Sequence, residues 1–569
     1  MSQSIFEDVP GTEYLVDGKY YSGIPVKLTL YSVNHSLDIA HAERGSSDIV
    51  LIPQPTSCGG DPLNCYEANI FQLWPRWKKY YQLFLVALYA CAFSFGENTL
   101  GAAWDTVSED THVSLTNMNG GSALNYLLLG FCNIFWIPAA KKLGNKFVFL
   151  ATTLICTASA VWLGEFHGTG QYMGAEVLNG LGTSAYQAVI QLTIFNMFFV
   201  HERGRMLAVY LFGQQLGSIL GLISGGSIAD GLGWRWSQYI VAIANAVVFL
   251  LLFFSFEETM FPRFLFSSNT PAQMEATAGT TSRTSKKADL ENTYTAESPT
   301  STLSELPSSL FPKRTYLQTI TLWVYQNEDS TTYWTYFKRP FFLWTFPTAV
   351  IPGFIFAFGC TAGIVSFNTI SEILSSAPYN FSSTTVGLIC FATLIGSTIG
   401  YFTGVASDHI VLFLTRRNKG VKEPEMRLWT LAASFVYAAL GYMLYGWGAQ
   451  TQASWVVVAI GLGAMIAQQV SACTVATAYA MECFPGLGGE LVVILAMCSS
   501  MINFAISYSV QPFINAAGYG WAFFFFGMSV LASICGGVVL IIHGKNWRRK
   551  CASKYRRYIS ETITGTLVS

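Results

Sequence analysis

The sequence predicts an all-α membrane protein whose twelve spanning helices fall into two six-helix halves. Three observations carry that expectation. Of 569 residues, 52% are hydrophobic and 11% charged, whereas a soluble domain averages about 25% charged. Mean hydropathy is +0.39. Apolar segments also recur along the chain, each near the ~20 residues that a helix needs to cross the hydrocarbon. A long polar stretch divides them after the sixth.

In order, residues 1–79 form a polar tail that closes on Arg76, Lys78 and Lys79 and holds no apolar signal-peptide core. Six apolar segments follow, at about 80–102, 118–139, 146–164, 172–200, 206–229 and 236–256, and make the first bundle (80–256). The linker, 257–339, is rich in Ser, Thr, Ala and Glu over about 267–310, a composition with too little apolar surface to fold. The second bundle (340–543) holds six further segments, at about 340–369, 384–407, 427–447, 453–481, 489–513 and 520–543. Lys545, Arg548, Arg549, Lys550, Arg556 and Arg557 mark a basic tail, 544–569.

Charge sets the orientation. With the N-terminus inside, Lys141, Lys142, Lys146, Arg203, Arg205, Lys313, Arg314, Lys338, Arg339, Arg416, Arg417, Lys419 and Lys422 fall in inner loops, and outer loops hold essentially Arg235 alone. The positive-inside rule then places both termini in the cytoplasm, most simply of a multi-pass plasma-membrane protein. Asn380-Phe381-Ser382 is a glycosylation sequon on the outer side.

Composition also narrows function. A net charge of −1 argues against a nucleic-acid partner, and the twelve Cys are scattered without paired metal-ligand spacing. HExxH, GxSxG, P-loop and CxxC motifs do not occur, so neither an enzyme, a cofactor nor ATP-driven transport is expected. The expected partners are the lipid bilayer, a small-molecule substrate and protons, with the chain a monomer; without a P-loop any transport would draw on an ion gradient.

The fourth segment is the most informative. Read as a helix, Glu176, Asn179, Gly180, Thr183, Gln187 and Gln191 recur every three or four residues and share one face. A carboxylate at mid-bilayer costs roughly 2.5–3.5 kcal/mol on insertion scales, so it faces protein or water and has a task there. Glu176 either lines a pathway or sits at headgroup level near the helix end. Glu97, with Ser94 and Asn98, lies at matching depth in the first segment and carries the same two readings. The following loop adds Asp105, Glu109 and Asp110, a field that concentrates cations. The second half offers Thr361, Asn368 and Glu372 in its first segment, Gln468, Gln469, Ser471 and Tyr479 in its fourth, and Asn503, Tyr508 and Gln511 in its fifth. Trp344, Phe354, Phe358 and Tyr186 are candidate aromatic surface for an amphipathic ligand. The bland alternative for Asn368 and Gln468 is interhelical hydrogen bonding, and for Glu482 a helix-end or gating role.

Short motifs add a resemblance. Pro138-Ala139-Ala140-Lys141-Lys142-Leu143-Gly144-Asn145-Lys146 is a degenerate form, and Gly400 to Asp408, with Gly404, a closer form, of the loop signature of the major facilitator superfamily. Gly217-x-x-x-Gly221-Leu222-x-x-Gly225-Gly226 is similar to the family's antiporter motif, with Leu222 where that motif has proline. Glu202-Arg203-Gly204, Gly233-Trp234-Arg235-Trp236, Glu258-Thr259 and Glu423-Pro424-Glu425-x-Arg427-Leu428 resemble fungal drug:proton antiporters, as do Leu51 to Pro55 and Asp61 to Asn64 in the tail. Ala478 to Pro485 is similar to yeast carriers of histidinol and polyamines. The resemblance implies two six-helix halves rocking about a midplane site, a cavity lined by the first, fourth, seventh and tenth helices, and gating by Gly144, Lys146, Gly404 and Asp408. One departure stands out: Glu176 occupies the position where the family places an arginine. Export of a drug-like compound, uptake of an organic cation such as a polyamine, and a non-transporting receptor that kept the fold all remain open.

Overall fold

A computed structural model describes residues 9–14, 76–101, 104–199, 202–259, 332–381 and 383–564. The centre of the linker, Cys58, Cys65 and the tail motifs at 51–64 lie outside these residues. The first half comprises α1 (Arg76–Thr99), α2 (Trp104–Thr111), α3 (Leu115–Phe131), α4 (Asn133–Leu143), α5 (Asn145–Glu165), α6 (Thr169–Met197), α7 (Arg203–Leu232) and α8 (Trp234–Ser255). The second comprises α9 (Tyr333–Leu343), α10 (Pro347–Ser375), α11 (Ser383–Ile389), α12 (Phe391–Arg417), α13 (Leu431–Gln450), α14 (Trp455–Cys483) and α15 (Gly488–Thr564). A 3-10 turn, Pro424–Thr430, leads into α13, and β1 (Glu13–Tyr14) pairs with β2 (Val421–Lys422).

Among the described residues, nine helices are long and apolar enough to cross a membrane. Helices α1 and α6 match them in length but carry the acidic and amide residues singled out above, which lower their hydropathy. Helix α15 turns at Gly518, whose φ of 80° suits glycine alone, so one continuous element contains two arms. Large apolar side chains such as Ile243, Ile395, Phe402, Phe413 and Ile460 stand on the outside at 57–66% exposure. A belt of that kind suits lipid.

Several boundaries differ from the sequence reading. Pro138–Leu143 is helix rather than loop, and the chain turns only at Gly144 (φ 98°). The seventh segment divides: Trp344–Phe346 separate α9 from α10, with Pro347 opening α10, where its missing N–H costs nothing. Beyond 543 no strong breaker occurs, so the basic tail continues α15 as helix.

Glycine rows fix the packing. A side chain at Gly217, Gly221 or Gly225 would overlap the backbone carbonyl of Cys91, Phe95 or Thr99, and Gly213 meets Ala87 one turn earlier. Both sets advance by four, so α1 and α7 run parallel with small residues in every turn of the seam. Gly396, Gly400 and Gly404 on α12 descend in the same way along Gly463, Ala467/Val470 and Thr474 on α14. The apolar core of the first half continues into Ala478, Met481, Val492, Val493 and Met497, which places the contact between halves against α14 and α15.

A candidate transport pathway between the two halves

Three polar layers succeed one another along the bundles, the outer within the first half and the other two across the contact between the halves. The outer layer holds the two acids. Tyr186 Oη donates to Glu97 Oε2 at 3.0 Å, and Gln214 Nε2 donates to Tyr186 Oη at 3.4 Å. Glu97 Oε1 is buried beside Thr183. Glu176 is buried, and its Oε2 accepts from Asn125 Nδ2 on α3 at 2.9 Å. The two carboxylates are close enough to act on one another electrostatically. Among the described residues, neither forms an ion pair. Glu97, Thr183 and Asn179 line a small cavity with Cys156 on α5 and Gln238 and Asn245 on α8. That cavity lies within the first half, and Glu176 turns to α3, so the acids share a buried polar neighbourhood rather than one open vestibule.

The middle layer crosses the halves. Gln187 Nε2 on α6 reaches Ser499 Oγ on α15 at 3.5 Å, and Asn503 Nδ2 donates to the same hydroxyl at 2.9 Å. Tyr210 of α7 lies beside Gln191 and the neighbouring thiols Cys360 of α10 and Cys473 of α14, whose sulfurs are 3.7 Å apart. Gln187 Oε1, Gln191 Oε1, Asn503 Oδ1 and Ser500 Oγ are buried without partners. Unsatisfied atoms in such a row are poised for a ligand or water, since each costs ~1–3 kcal/mol when left bare.

The inner layer is charged and closed. Asp408 Oδ2 on α12 accepts from the backbone N–H of Arg205 at 2.9 Å, at the start of α7 in the other half. Its Oδ1 accepts from Arg427 Nη1 at 2.7 Å, while Arg427 Nη2 donates to Glu482 Oε1 at 2.8 Å. Lys422 Nζ lies 2.9 Å from Glu482 Oε2. The group sums to zero charge, and the N-terminus of α7 adds a favourable partial positive charge beside Asp408. A side chain on Gly204 would strike Asp408 and Arg427, which explains glycine there. A second bridge joins Lys141 of α4 to both oxygens of Glu490 on α15 at 2.7 Å. Gly144 lets Glu258 approach, so that its Oε2 accepts from Lys146 N–H, and Lys146 Nζ donates to Phe253 O at 2.8 Å.

Other candidate residues fall elsewhere. Gln468 is fully buried, and among the described residues neither its amide atoms nor Asn368 Nδ2 has a partner. Tyr479 lies low in the second half against Gly544 and Glu425, beneath the gate. Phe354 is on the outside, and Glu372 meets Gln511 there. Asn380 stands exposed in a turn. The antiporter-like glycines Gly217, Gly221 and Gly225 form the helix seam, with Gly226 buried beside them. Arg427 and Lys141 entered the sequence reading only as motif and inner-loop residues, and Tyr210, Ser499 and the Cys360–Cys473 pair had no assigned role there. For Arg427, the motif from Glu423 to Leu428 was the available signal. At the outer end, Asp110 accepts from Trp234 Nε1 and Arg235 Nη1, and these two donors hold its carboxyl below the usual carboxylate range.

Two halves of helices thus meet across a polar layer, with charged bridges between them at one end. Residues 86–487 match the family model of the Major Facilitator Superfamily. The chain belongs to this superfamily. This member is a multi-pass membrane transporter and not an enzyme. It is 25% identical over 564 residues to an uncharacterised MFS-type transporter of Schizosaccharomyces pombe, covering 95% of each chain. To protein HOL1 of Saccharomyces cerevisiae it is 25% identical, covering 84% of this chain and 86% of that one. A probable efflux pump of Aspergillus flavus, mfs2, is also 25% identical, over 78% of this chain and 96% of its own. Among solved structures, the proton:xylose symporter XylE superposes with a TM-score of 0.52 at 14% identity, over 82% of this chain and 94% of that one. The transporter thus shares the superfamily's fold with a protein of very different sequence.

Proposed function

We propose that this transporter is proton-coupled, works by alternating access and exports a small amphipathic organic compound. The observation that carries the coupling is the pair Glu97 and Glu176: buried carboxylates held by neutral donors, with no ion pair to either among the described residues. An anion in that setting is costly unless a proton or a cation neutralises it. Protonation that differs between outward- and inward-open states links the two fluxes. Export is supported by the antiporter-like glycine motif and by the likeness to an efflux pump. The reading places twelve crossings in the plasma membrane: nine apolar helices, α1, α6 and the second arm of α15, with both termini cytoplasmic.

A second reading, uptake of an organic cation such as a polyamine, draws on the same acids and on the outer-loop carboxylates. The test covers both. In reconstituted vesicles with an imposed pH gradient, Glu176→Gln is expected to abolish accumulation while leaving exchange at equal pH measurable. If the acid instead pairs with a cationic substrate, binding of cations weakens and neutral compounds are spared. Wild-type accumulation by both Glu176→Gln and Glu97→Gln would remove the acids from the mechanism. Failure of every compound to show counterflow would favour a receptor over a transporter.

A further inference from the structure

We propose that residues 9–14 are a built-in strap, which docks on the gate end of the second half and holds the inner latch in its closed geometry. The segment is seated rather than draped. Val9 is buried at 4% exposure, and the backbone turns tightly from Val9 to Thr12. Glu13 and Tyr14 pair antiparallel with Lys422 and Val421, extending the short strand that precedes Arg427. Gly11 adopts φ 77° and presses on the carbonyls of Glu482 and Cys483, where any side chain would collide. Two independent demands, conformation and space, therefore require glycine at this position.

Arg548 is the anchor beneath the strap. Its Nη1 donates to the carbonyl of Pro10 and to Thr12 Oγ1 (3.2 Å), and its Nε and Nη2 grip Glu425 at 2.9 and 2.6 Å. A fully buried arginine with one fork on a carboxylate has donors left over, and the strap supplies their acceptors. The route from strap to gate is short. Lys422 pairs with strap residue Glu13 in the sheet and holds Glu482 by its side chain, Glu482 holds Arg427, and Arg427 aims Asp408 at the Arg205 N–H of the other half. Docking stiffens β2 and the end of α14, which keeps that chain of charges aligned. The described contacts of the strap, to β2, the end of α14 and Arg548 of α15, all lie in the second half, so it positions the latch from that side. Unseating it releases the latch while leaving both bundles intact.

The experiment uses the purified full-length chain in detergent and needs no substrate. N-ethylmaleimide modification of native Cys483, buried next to the strap, is followed by peptide mass spectrometry, and amide exchange over residues 203–207 reports the latch on α7. Gly11→Val is expected to raise both by about tenfold or more, as for a contact that controls local opening, while Thr12→Ser stays at wild-type values. Unchanged Cys483 labelling would show that the strap does not dock. Faster labelling with unchanged exchange at 203–207 would show that it docks without acting on the gate. Either result overturns the proposal. Because Gly11 lies outside the bundles, a further check avoids any loss of fold: the pair Tyr14→Cys/Val421→Cys is expected to crosslink and to slow exchange at 203–207, reversibly with reductant. Absence of the crosslink, or a crosslink without that slowing, refutes the strap.

Discussion

The bridge between Lys141 and Glu490 offers the sharpest quantitative test of the closed gate. Lys141 Nζ sits 2.7 Å from both carboxylate oxygens, and Glu490 is 1% exposed at the first turn of α15. Arg339 Nη1 lies 3.7 Å from the same carboxylate, and the ring of Tyr336 backs Lys141 at 4.4 Å. Lys141→Met keeps the length of the stem and removes the charge, which leaves Glu490 buried between the halves. Truncating one partner of such a pair costs ~2–5 kcal/mol, and Arg339 offsets part of it, so ~2–3 kcal/mol is expected here. The cost falls on the closed state alone, because water reaches Glu490 once the halves part. The open fraction therefore rises roughly 30- to 150-fold. Met497, buried where α15 meets the first half, serves as reporter. Alkylation of Met497→Cys by a water-soluble maleimide tracks the open population when opening is rare. Glu490→Gln exposes no stranded anion and is expected to do less, and the double variant to resemble Glu490→Gln. Strict additivity of the two single effects, within ~0.5 kcal/mol, would mean that the pair is not coupled and that the gate is held elsewhere.

Further outcomes are expected. Gly221→Val forces α7 off the Phe95 carbonyl and sharply lowers the yield of folded protein on size exclusion, whereas Gly213→Ala, in near-ordinary contact with Ala87, is tolerated. Deletion of about 270–308 leaves the transport rate largely intact at normal surface expression, because the composition of that stretch supports no packed core. Asn380→Gln removes any shift in gel mobility that N-glycosidase produces, and an impermeant thiol label on intact cells fails to reach either terminus. Asp110 is held below its ordinary carboxylate range, so its contribution is complete above that range and is lost only as pH falls through the depressed value. Protection factors of the amides at the start of α8, which remove the intrinsic pH dependence of exchange, should therefore match at pH 7 and pH 5, and fall at both in Asp110→Asn.

Much of the architecture was legible because lipid imposes a coarse rule: long apolar runs become helices, and basic residues mark one side. The same rule hid some details. Pro138 reads as a breaker in sequence, yet α4 continues through it to Leu143, and basic residues after Ile542 read as a tail although nothing there stops a helix. At the site, helical spacing found the Glu176–Gln191 stripe, since one helix face is a local property. Partners were not legible in that way. That Gln187 meets Ser499, or Arg427 meets both Asp408 and Glu482, depends on how distant helices cross. The contact of Glu176 with Asn125 has the same cause.

The parallel seam between α1 and α7 bears on how the protein is made. Helix α1 is synthesised carrying Ser94, Glu97 and Asn98, but the Tyr186 hydroxyl that meets Glu97 follows 89 residues later and the Ser218 hydroxyl that meets Ser94 follows 124 later. At roughly 5–20 residues per second, α1 waits on the order of 4–25 s for these groups. Over that interval its acid has no native donor, and its Cys91, Phe95 and Thr99 ridge has no glycines to receive it. Insertion of α1 and completion of α7 are thus a single event separated in time, and slowing translation before Gly225 lengthens the period in which Glu97 is unsheltered.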